Sequence, residues 1–232
     1  MKIALLGYGK MGKVIAKMAV QRGHEIVYSS SASSQNGNFK EAQIALEFST
    51  PQGAIGNINK CFQAQIPVVC GTTGWLDQKK SIEEACAHTK GSFIYASNFS
   101  IGVNLFFNLN QHLAKLMKPW SEYNLAIEEI HHTEKKDAPS GTAITLAQDI
   151  LPYTDKKTWS LDLTSQDAVG IKSKREADVK GTHKVSYTSK IDNITIEHEA
   201  HSREGFAMGA IIAAEFLIDK KGIFTMKDVL GL

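Results

Sequence analysis

Residues 3–6 form a short apolar run, glycines follow at once, and residues 14–20 repeat apolar side chains at helical spacing. That pattern predicts strand, tight turn and helix. Residues 25–29 predict a second strand and residues 44–48 a third. The serine-rich stretch 29–37 between them predicts a loop and no long helix, so the second crossover is abbreviated. Ser49-Thr50-Pro51 is a helix start signal, for a helix running to residue 64. A strand at 67–70, a helix at 77–88 and a strand at 93–96 complete the alternation. Strands and helices in this order predict a parallel sheet covered on both faces, with right-handed crossovers.

The texture changes after residue 100. A helix is expected near 105–117, a strand at 123–130, a polar turn, and a helix from Ser140 to about residue 150. Residues 153–182 carry weak periodicity and many polar side chains, which predicts a long loop with at most one short strand. Residues 184–190 and 193–200 read as an antiparallel pair joined at Asp192-Asn193. The strongly apolar stretch 206–218 predicts a helix that needs a sheet to cover it.

Composition adds exclusions. The 232 residues hold 26 Lys+Arg against 24 Asp+Glu, a formal charge of +2 that predicts no general attraction to nucleic acid or a membrane surface. No stretch approaches the roughly 18 consecutive apolar residues of a membrane helix. The opening MKIALLGYGKMG lacks the length and cleavage site of a signal peptide, so the expectation is a cytoplasmic protein. Cys61, Cys70 and Cys86 are neither an even set nor a CxxC pair and read as buried, reduced thiols.

Gly7-Tyr8-Gly9-Lys10-Met11-Gly12 matches GxGxxG directly after the first strand and at the opening of the first helix. In that context the first glycine serves a tight turn, the second lets backbone NH groups approach a pyrophosphate, and the third lets helix pack close to strand. The same six residues away from a strand would be an ordinary turn. An acidic residue about 20 positions on normally bonds the adenosine ribose hydroxyls. Here the second strand ends Tyr28-Ser29-Ser30-Ser31-Ala32 without a carboxylate, and Lys10 and Lys13 supply local positive charge. Between NADPH and NADH this mildly favours NADPH, with Ser31 as a phosphate contact; a mobile serine loop is the competing reading.

The densest polar chemistry runs from Glu128 to Thr142. His131 and His132 offer a proton donor near neutral pH, Lys135 a point charge for a carboxylate or imine-derived anion, and Ser140 a cap that frees the Gly141 and Thr142 amides for a carboxylate. A solvated loop with a capping serine would use the same residues. Adjacent histidines on an extended strand point to opposite faces and no further ligand spacing accompanies them, so no metal is expected.

These motifs, together with Phe48-Ser49-Thr50-Pro51, Gly71-Thr72-Thr73-Gly74, the stretch Ser97 to Asn104 and Ser202-Arg203-Glu204-Gly205-Phe206, resemble the 4-hydroxy-tetrahydrodipicolinate reductase family over nearly the whole chain. The resemblance implies NAD(P)H-dependent reduction of a small dicarboxylate in lysine and diaminopimelate biosynthesis. His131 would be the catalytic acid or acid/base and Lys135 a proton donor or charge stabiliser. His132, Lys135, Ser140, Gly141 and Thr142 would hold the two carboxylates. Gly71, Thr72, Thr73, Ala96, Ser97, Asn98 and Phe99 would line the nicotinamide and its ribose, beside the glycine loop at the phosphates. The chain departs from the family in its short second crossover, in Ser97 where alanine is frequent, and in the missing acid near Ser31.

The expected fold class is α/β: a Rossmann-type doubly wound parallel sheet with an inserted α+β substrate and tetramerisation domain. Residues 1–99 with 207–232 would bind the dinucleotide, and residues 100–206 would bind substrate and assemble a homotetramer. The alternatives are an aspartate-dehydrogenase-like oxidoreductase, which accounts only for the Rossmann half, and a non-catalytic dinucleotide-binding redox sensor, which leaves the His131–Thr142 cluster without a task.

Overall fold

In the computed structural model, which describes residues 1–202 and 204–232, β1 (Lys2–Leu6) is buried along Ile3, Ala4, Leu5 and Leu6. It pairs in parallel with β2 (Glu25–Ser30) on one side and with β4 (Ile44–Glu47) on the other. β3 (Gln35–Gly37) adds to β2 antiparallel, and β5 (Val68–Cys70) and β6 (Ser92–Tyr95) extend the sheet in parallel beyond β4. Successive residues of a strand point to opposite faces. Ile3, Leu5, Ile44, Leu46, Val69 and Ile94 therefore build a core on one face, while Ala4, Leu6, Ala45, Val68, Cys70 and Phe93 build the other.

The first face is covered by α1 (Lys10–Gln21), through Ile15 and Ala19; the second by α2 (Pro51–Gln63), through Ala54, Ile58 and Phe62, and by α3 (Lys79–His88), through Ile82 and Cys86. Thr50 caps α2 by accepting the Gly53 amide, and Pro51 occupies the first turn, where a missing NH costs nothing. The three cysteines are free and buried.

Residues 102–203 form a separate compact unit. It follows the entry of α4 (Ile101–Met117) and contains β7 (Asn124–His131), α5 (Gly141–Ile150), β8 (Thr158–Ser160), β9 (Ala168–Arg175), β10 (Thr182–Thr188) and β11 (Asn193–Glu199). The sheet order is β11-β10-β7-β9-β8, mixed in direction: β7 runs parallel to β9 and antiparallel to β10. Its odd-numbered positions Ile127, Ile171, Val185 and Tyr187 bury against Phe106, Ala114 and Met117 of α4 and Leu146 and Ile150 of α5.

The chain then returns to the first unit, which comprises residues 1–101 and 204–232. There α6 (Glu204–Leu217) lies with α1 on the first face, burying Ala207, Ala210, Ile211, Ala214 and Leu217. β12 (Gly222–Phe224) pairs in parallel with β6 and α7 (Met226–Leu230) closes the chain. The seven-stranded order is β12-β6-β5-β4-β1-β2-β3, a Rossmann-type doubly wound sheet with an inserted α+β unit. Among the described residues, no helix is long and apolar enough to cross a membrane.

Three local expectations need correction. The stretch 153–182 holds two strands, and β9 lies inside the sheet: Gly170 and the charged residues Lys172, Lys174 and Arg175 dilute its period-2 pattern. The serine stretch after β2 is the turn of a β2–β3 hairpin, with the Ser31 amide donating to the Ser34 carbonyl (2.8 Å) and the two hydroxyls 2.9 Å apart. β12 and α7 had no counterpart in the pattern, because a three-residue strand is too short for periodicity to register.

Candidate active site

The glycine loop leaves β1 at the point where strand order reverses, between β1 and β4, which is where doubly wound sheets bind ligands. Gly7 has φ +108°, and a Cβ there would meet the Phe48 carbonyl at 2.2 Å. A Cβ on Gly12 would meet the Gly7 carbonyl at 2.1 Å, so this glycine sets the close approach of α1 to the strand. A Cβ on Gly9 meets nothing within 4 Å. Packing thus accounts for Gly7 and Gly12, while Gly9 borders open space, and the first-turn amides of α1 are there to receive an anion. A dinucleotide pyrophosphate fits this loop.

A cleft of about 350 Å³ within the same unit is lined by Met11, Phe48, Ser49, Pro51, Gly71, Thr72, Thr73, Ser97, Phe99 and Phe206. Of the expected cofactor residues, Met11, Gly71, Thr72, Thr73, Ser97 and Phe99 meet there; Gly7, Tyr8, Gly9, Lys10, Gly12, Ser31, Ala96 and Asn98 are not in its wall. Sequence reasoning had given no site role to Phe48, Ser49, Pro51 or Phe206. The shape of the cleft depends on a residue not anticipated either, Glu47, fully buried at the end of β4. Its carboxylate accepts from the Ser49 hydroxyl and amide, from Asn57 Nδ2 at 3.2 Å and from the Cys70 thiol at 3.3 Å. Burial and the neighbouring Glu47 push the Cys70 thiol well up, so it stays protonated and able to donate. The Ser49 amide also donates to Thr72 Oγ1 (2.9 Å), and the Trp75 indole NH to the Thr72 carbonyl (2.6 Å), which ties the Gly71–Gly74 turn to the end of β4.

In the other unit, strand register assembles the polar cluster. Glu129 of β7 pairs across to His183 of β10 and to Ser173 of β9, and His131 pairs with Arg175. All five face the helix-covered side, so they converge although they come from three strands. Glu129 is fully buried, and His131 and His183 are 8% and 5% exposed. Both Glu129 oxygens accept the Ser140 amide at 3.1 Å, and Oε1 also accepts the Ser173 hydroxyl at 2.7 Å. His131 Nδ1 stands 3.4 Å from Oε2, and the two imidazoles stack edge to face at 5.0 Å.

Burial opposes ionisation of Glu129, but hydrogen bonds from Ser140 and Ser173 and the nearby His131 outweigh it and hold the carboxyl below its usual range. Burial pulls the His131 imidazole down; Glu129 and Asp137 oppose this, while Lys135 and Arg175 reinforce it. Burial, with His131 beside it, pushes His183 down to about 3, so His183 is neutral.

Ser140 caps α5 by accepting the Ala143 amide (3.1 Å), and its hydroxyl also meets His183 Nε2 at 3.1 Å. Its amide and hydroxyl are therefore both engaged inside the protein. The Gly141 and Thr142 amides lie in the first turn of α5, ahead of the Ile144 amide that donates back to Ser140, so no intrahelical acceptor serves them. Lys135 Nζ donates to both Asp137 oxygens, at 2.8 and 2.7 Å, and holds that carboxyl below its usual value. Arg175 braces the same loop by donating to the Lys135 and Asp137 carbonyls. His132 leaves this cluster: it lines a cavity of about 460 Å³ with Glu134, Asp178, Lys180, His201 and Ser202. Arg203, part of the last motif, lies outside the described residues.

Glu129, His131 and His183 bring ligand-type atoms within 4.8 Å of one another, a set that sequence spacing did not suggest. The carboxylate is already engaged by two serines, and Arg175 Nη1 stands 3.6 Å from Oε1, so the positive charge a metal would supply is present. Glu129 sits two residues before His131, a period-2 signal legible in the sequence; His183 is visible only once β7 and β10 are paired.

A Rossmann sheet with a glycine-loop cleft, joined to a unit carrying a His/Lys cluster, defines an α/β oxidoreductase. Models described as dihydrodipicolinate reductase, N-terminus, and dihydrodipicolinate reductase, C-terminus, match residues 1–99 and 102–230. The chain belongs to the dihydrodipicolinate reductase family. It is 53% identical to the 4-hydroxy-tetrahydrodipicolinate reductase of Christiangramia forsetii over 100% of this chain and 98% of that one. It is 31% identical to the enzyme of the same name from Archaeoglobus fulgidus over 99% of this chain and 100% of that one. A solved structure of dipicolinate-bound dihydrodipicolinate reductase from Paenisporosarcina sp. TG-14 has the same fold, at 21% identity with a TM-score of 0.76 and 97% of each chain covered.

Proposed function

We propose that this chain is an NAD(P)H-dependent oxidoreductase that reduces 4-hydroxy-tetrahydrodipicolinate to tetrahydrodipicolinate in lysine and diaminopimelate biosynthesis. The observation that carries this reading is the match of both halves to one family, together with 53% identity over the whole chain. An aspartate-dehydrogenase-like enzyme would account for the Rossmann half alone, and a non-catalytic sensor would leave the His131 cluster unused.

In this reading residues 1–101 with 204–232 are the dinucleotide-binding domain and residues 102–203 bind substrate. The cofactor supplies a hydride to C4 of the unsaturated ring formed when the hydroxylated substrate loses water. Gly7 to Gly12 hold the pyrophosphate on the first turn of α1, and Gly71, Thr72, Thr73 and Ala96 to Phe99 line the nicotinamide and ribose. NADPH is favoured: β2 ends in Ser29 and Ser30, Ser31 opens an exposed turn, and no carboxylate there would repel a 2′-phosphate. His131 supplies the proton. Lys135, released from Asp137, stabilises developing charge, and the substrate carboxylates are taken by His132, from the cavity it lines, and by the Gly141 and Thr142 amides at the positive end of α5. Ser140 contributes by holding that turn.

A cytoplasmic homotetramer assembled through the sheets of the second unit completes the proposal; β11 leaves Ile194 40% exposed on an edge strand of that sheet. Light scattering on a sizing column should then give four chains per particle. The activity itself is tested by generating the dihydrodipicolinate precursor in situ and following NADPH and NADH oxidation separately. Precursor-dependent oxidation, faster with NADPH, is expected; none with either cofactor refutes the assignment.

A further inference from the structure

Glu129 is a buried carboxylate, and nothing in the proposed reaction so far uses it. It would be expelled or protonated unless its lone pairs were engaged, and they are, by the Ser140 amide at the start of α5 and the Ser173 hydroxyl on β9, with His131, Arg175 and His183 standing 3.4, 3.6 and 3.8 Å away. The carboxylate therefore joins the end of α5, whose Gly141 and Thr142 amides have no intrahelical acceptor, to the imidazole assigned the proton. We propose that Glu129 is the positioning residue of this site: it accepts Nδ1–H of His131 and so commits Nε2, the opposite ring nitrogen, to proton transfer.

The surroundings of Nε2 support this. Gly181, with φ +150°, lies beside it, and a Cβ at that position would come within 3.3 Å of Nε2. Glycine leaves that nitrogen open. Nδ1, by contrast, is buried without a hydrogen-bond partner among the described residues, and Oε2 of Glu129, 3.4 Å away, is the carboxylate oxygen beside it. In the imidazolium both nitrogens carry hydrogen; the proton on Nε2 leaves for the substrate, and the neutral ring that remains keeps Nδ1–H against Oε2. The charged and titratable groups facing His131 are Glu129 on β7, Arg175 on β9, His183 on β10, and Lys135 and Asp137 on the loop. Of these Glu129 is the largest influence favouring the protonated ring, and His183 stays neutral beside it. A proton arriving at the pair therefore rests on His131.

The inference rests on the reductase reading for its assay but not for its geometry, so two measurements are needed. In the coupled assay, Glu129→Gln should lower kcat by about 10- to 100-fold with KM changed by less than about 3-fold. The alkaline limb of its kcat profile, where the acid loses its proton, should move to lower pH, and Glu129→Asp should recover part of both. Long-range ¹H–¹⁵N spectra of the full-length wild-type protein should show neutral His131 as the Nδ1–H tautomer, and Glu129→Gln should lose that preference. A folded Glu129→Gln protein with wild-type kcat and pH profile overturns the proposal, as does a wild-type His131 protonated on Nε2. If Glu129→Gln does not fold, the wild-type spectrum and Glu129→Asp carry the test. Wild-type protein inactive on the precursor would defeat the reductase reading while the tautomer still decides the role of Glu129. Activity that disappears on dialysis against a chelator would make the cluster a metal site and overturn the proposal.

Discussion

Replacing His183 with glutamine should remove one component of the acid sensitivity of the fold. His183 is 5% exposed, and its imidazole is held at about 3 by burial, by His131 and by Lys135, so it stays neutral in the folded chain through mildly acidic pH. In the unfolded chain it titrates near its ordinary value of about 6.5. The folded pKa lies below the unfolded one, so between these values the unfolded chain binds the extra proton. Stability contributed by this group is present above about pH 6.5 and is lost as the pH falls towards 3, with a slope approaching about 1.4 kcal/mol per pH unit. Between pH 7 and pH 5 the loss amounts to about 2 kcal/mol. Glutamine has no such titration and retains a group able to bond Ser140. Urea unfolding at fixed protein concentration, at both pH values, should therefore show the wild type losing about 2 kcal/mol more than His183→Gln. An offset between the two proteins at pH 7 cancels in this comparison. Equal losses to within about 0.5 kcal/mol would refute the buried neutral imidazole.

Lys135→Ala should cut turnover by at least about 100-fold if this lysine assists proton transfer or stabilises developing charge, and wild-type rates in the coupled assay would remove that role. Gly12→Ala, whose methyl would collide with the Gly7 carbonyl, should cost about 1–3 kcal/mol of stability in denaturant titrations. Gly9→Ala should leave stability within about 0.5 kcal/mol yet weaken NADPH binding in fluorescence titrations, and an unchanged affinity would deny Gly9 its place at the pyrophosphate. Ser31→Asp should raise KM for NADPH by about 10-fold or more through repulsion of the 2′-phosphate, with KM for NADH unchanged or lower; equal shifts for both cofactors would place Ser31 away from the adenosine end.

Local chemistry along the chain determined most of the Rossmann half, β3, β12 and α7 excepted, and the start of α5 in the second unit. Apolar runs of strand length, a glycine loop at residue 7, Thr50-Pro51 at a helix start and Ser140 as a cap are signals carried by neighbours in sequence, and the corresponding elements stand close to where they were read. The cluster from His131 to Thr142 was legible for the same reason: its residues are contiguous. Tertiary structure decided the rest. β9 was hidden because a strand with Lys172, Lys174 and Arg175 earns its place only by pairing with β7, and no local window contains that partner. Glu129, His183, Ser173 and Arg175 meet through the register of three strands drawn from a stretch of more than forty residues, and a slip of one residue would turn every one of them to the opposite face. Glu47 is an acid inside an apolar strand, and only the folded chain supplies the Ser49, Asn57 and Cys70 donors that make its burial tolerable. Sequence neighbours placed His131 and Lys135 in one stretch; long-range register decided that Glu129 stands beside His131.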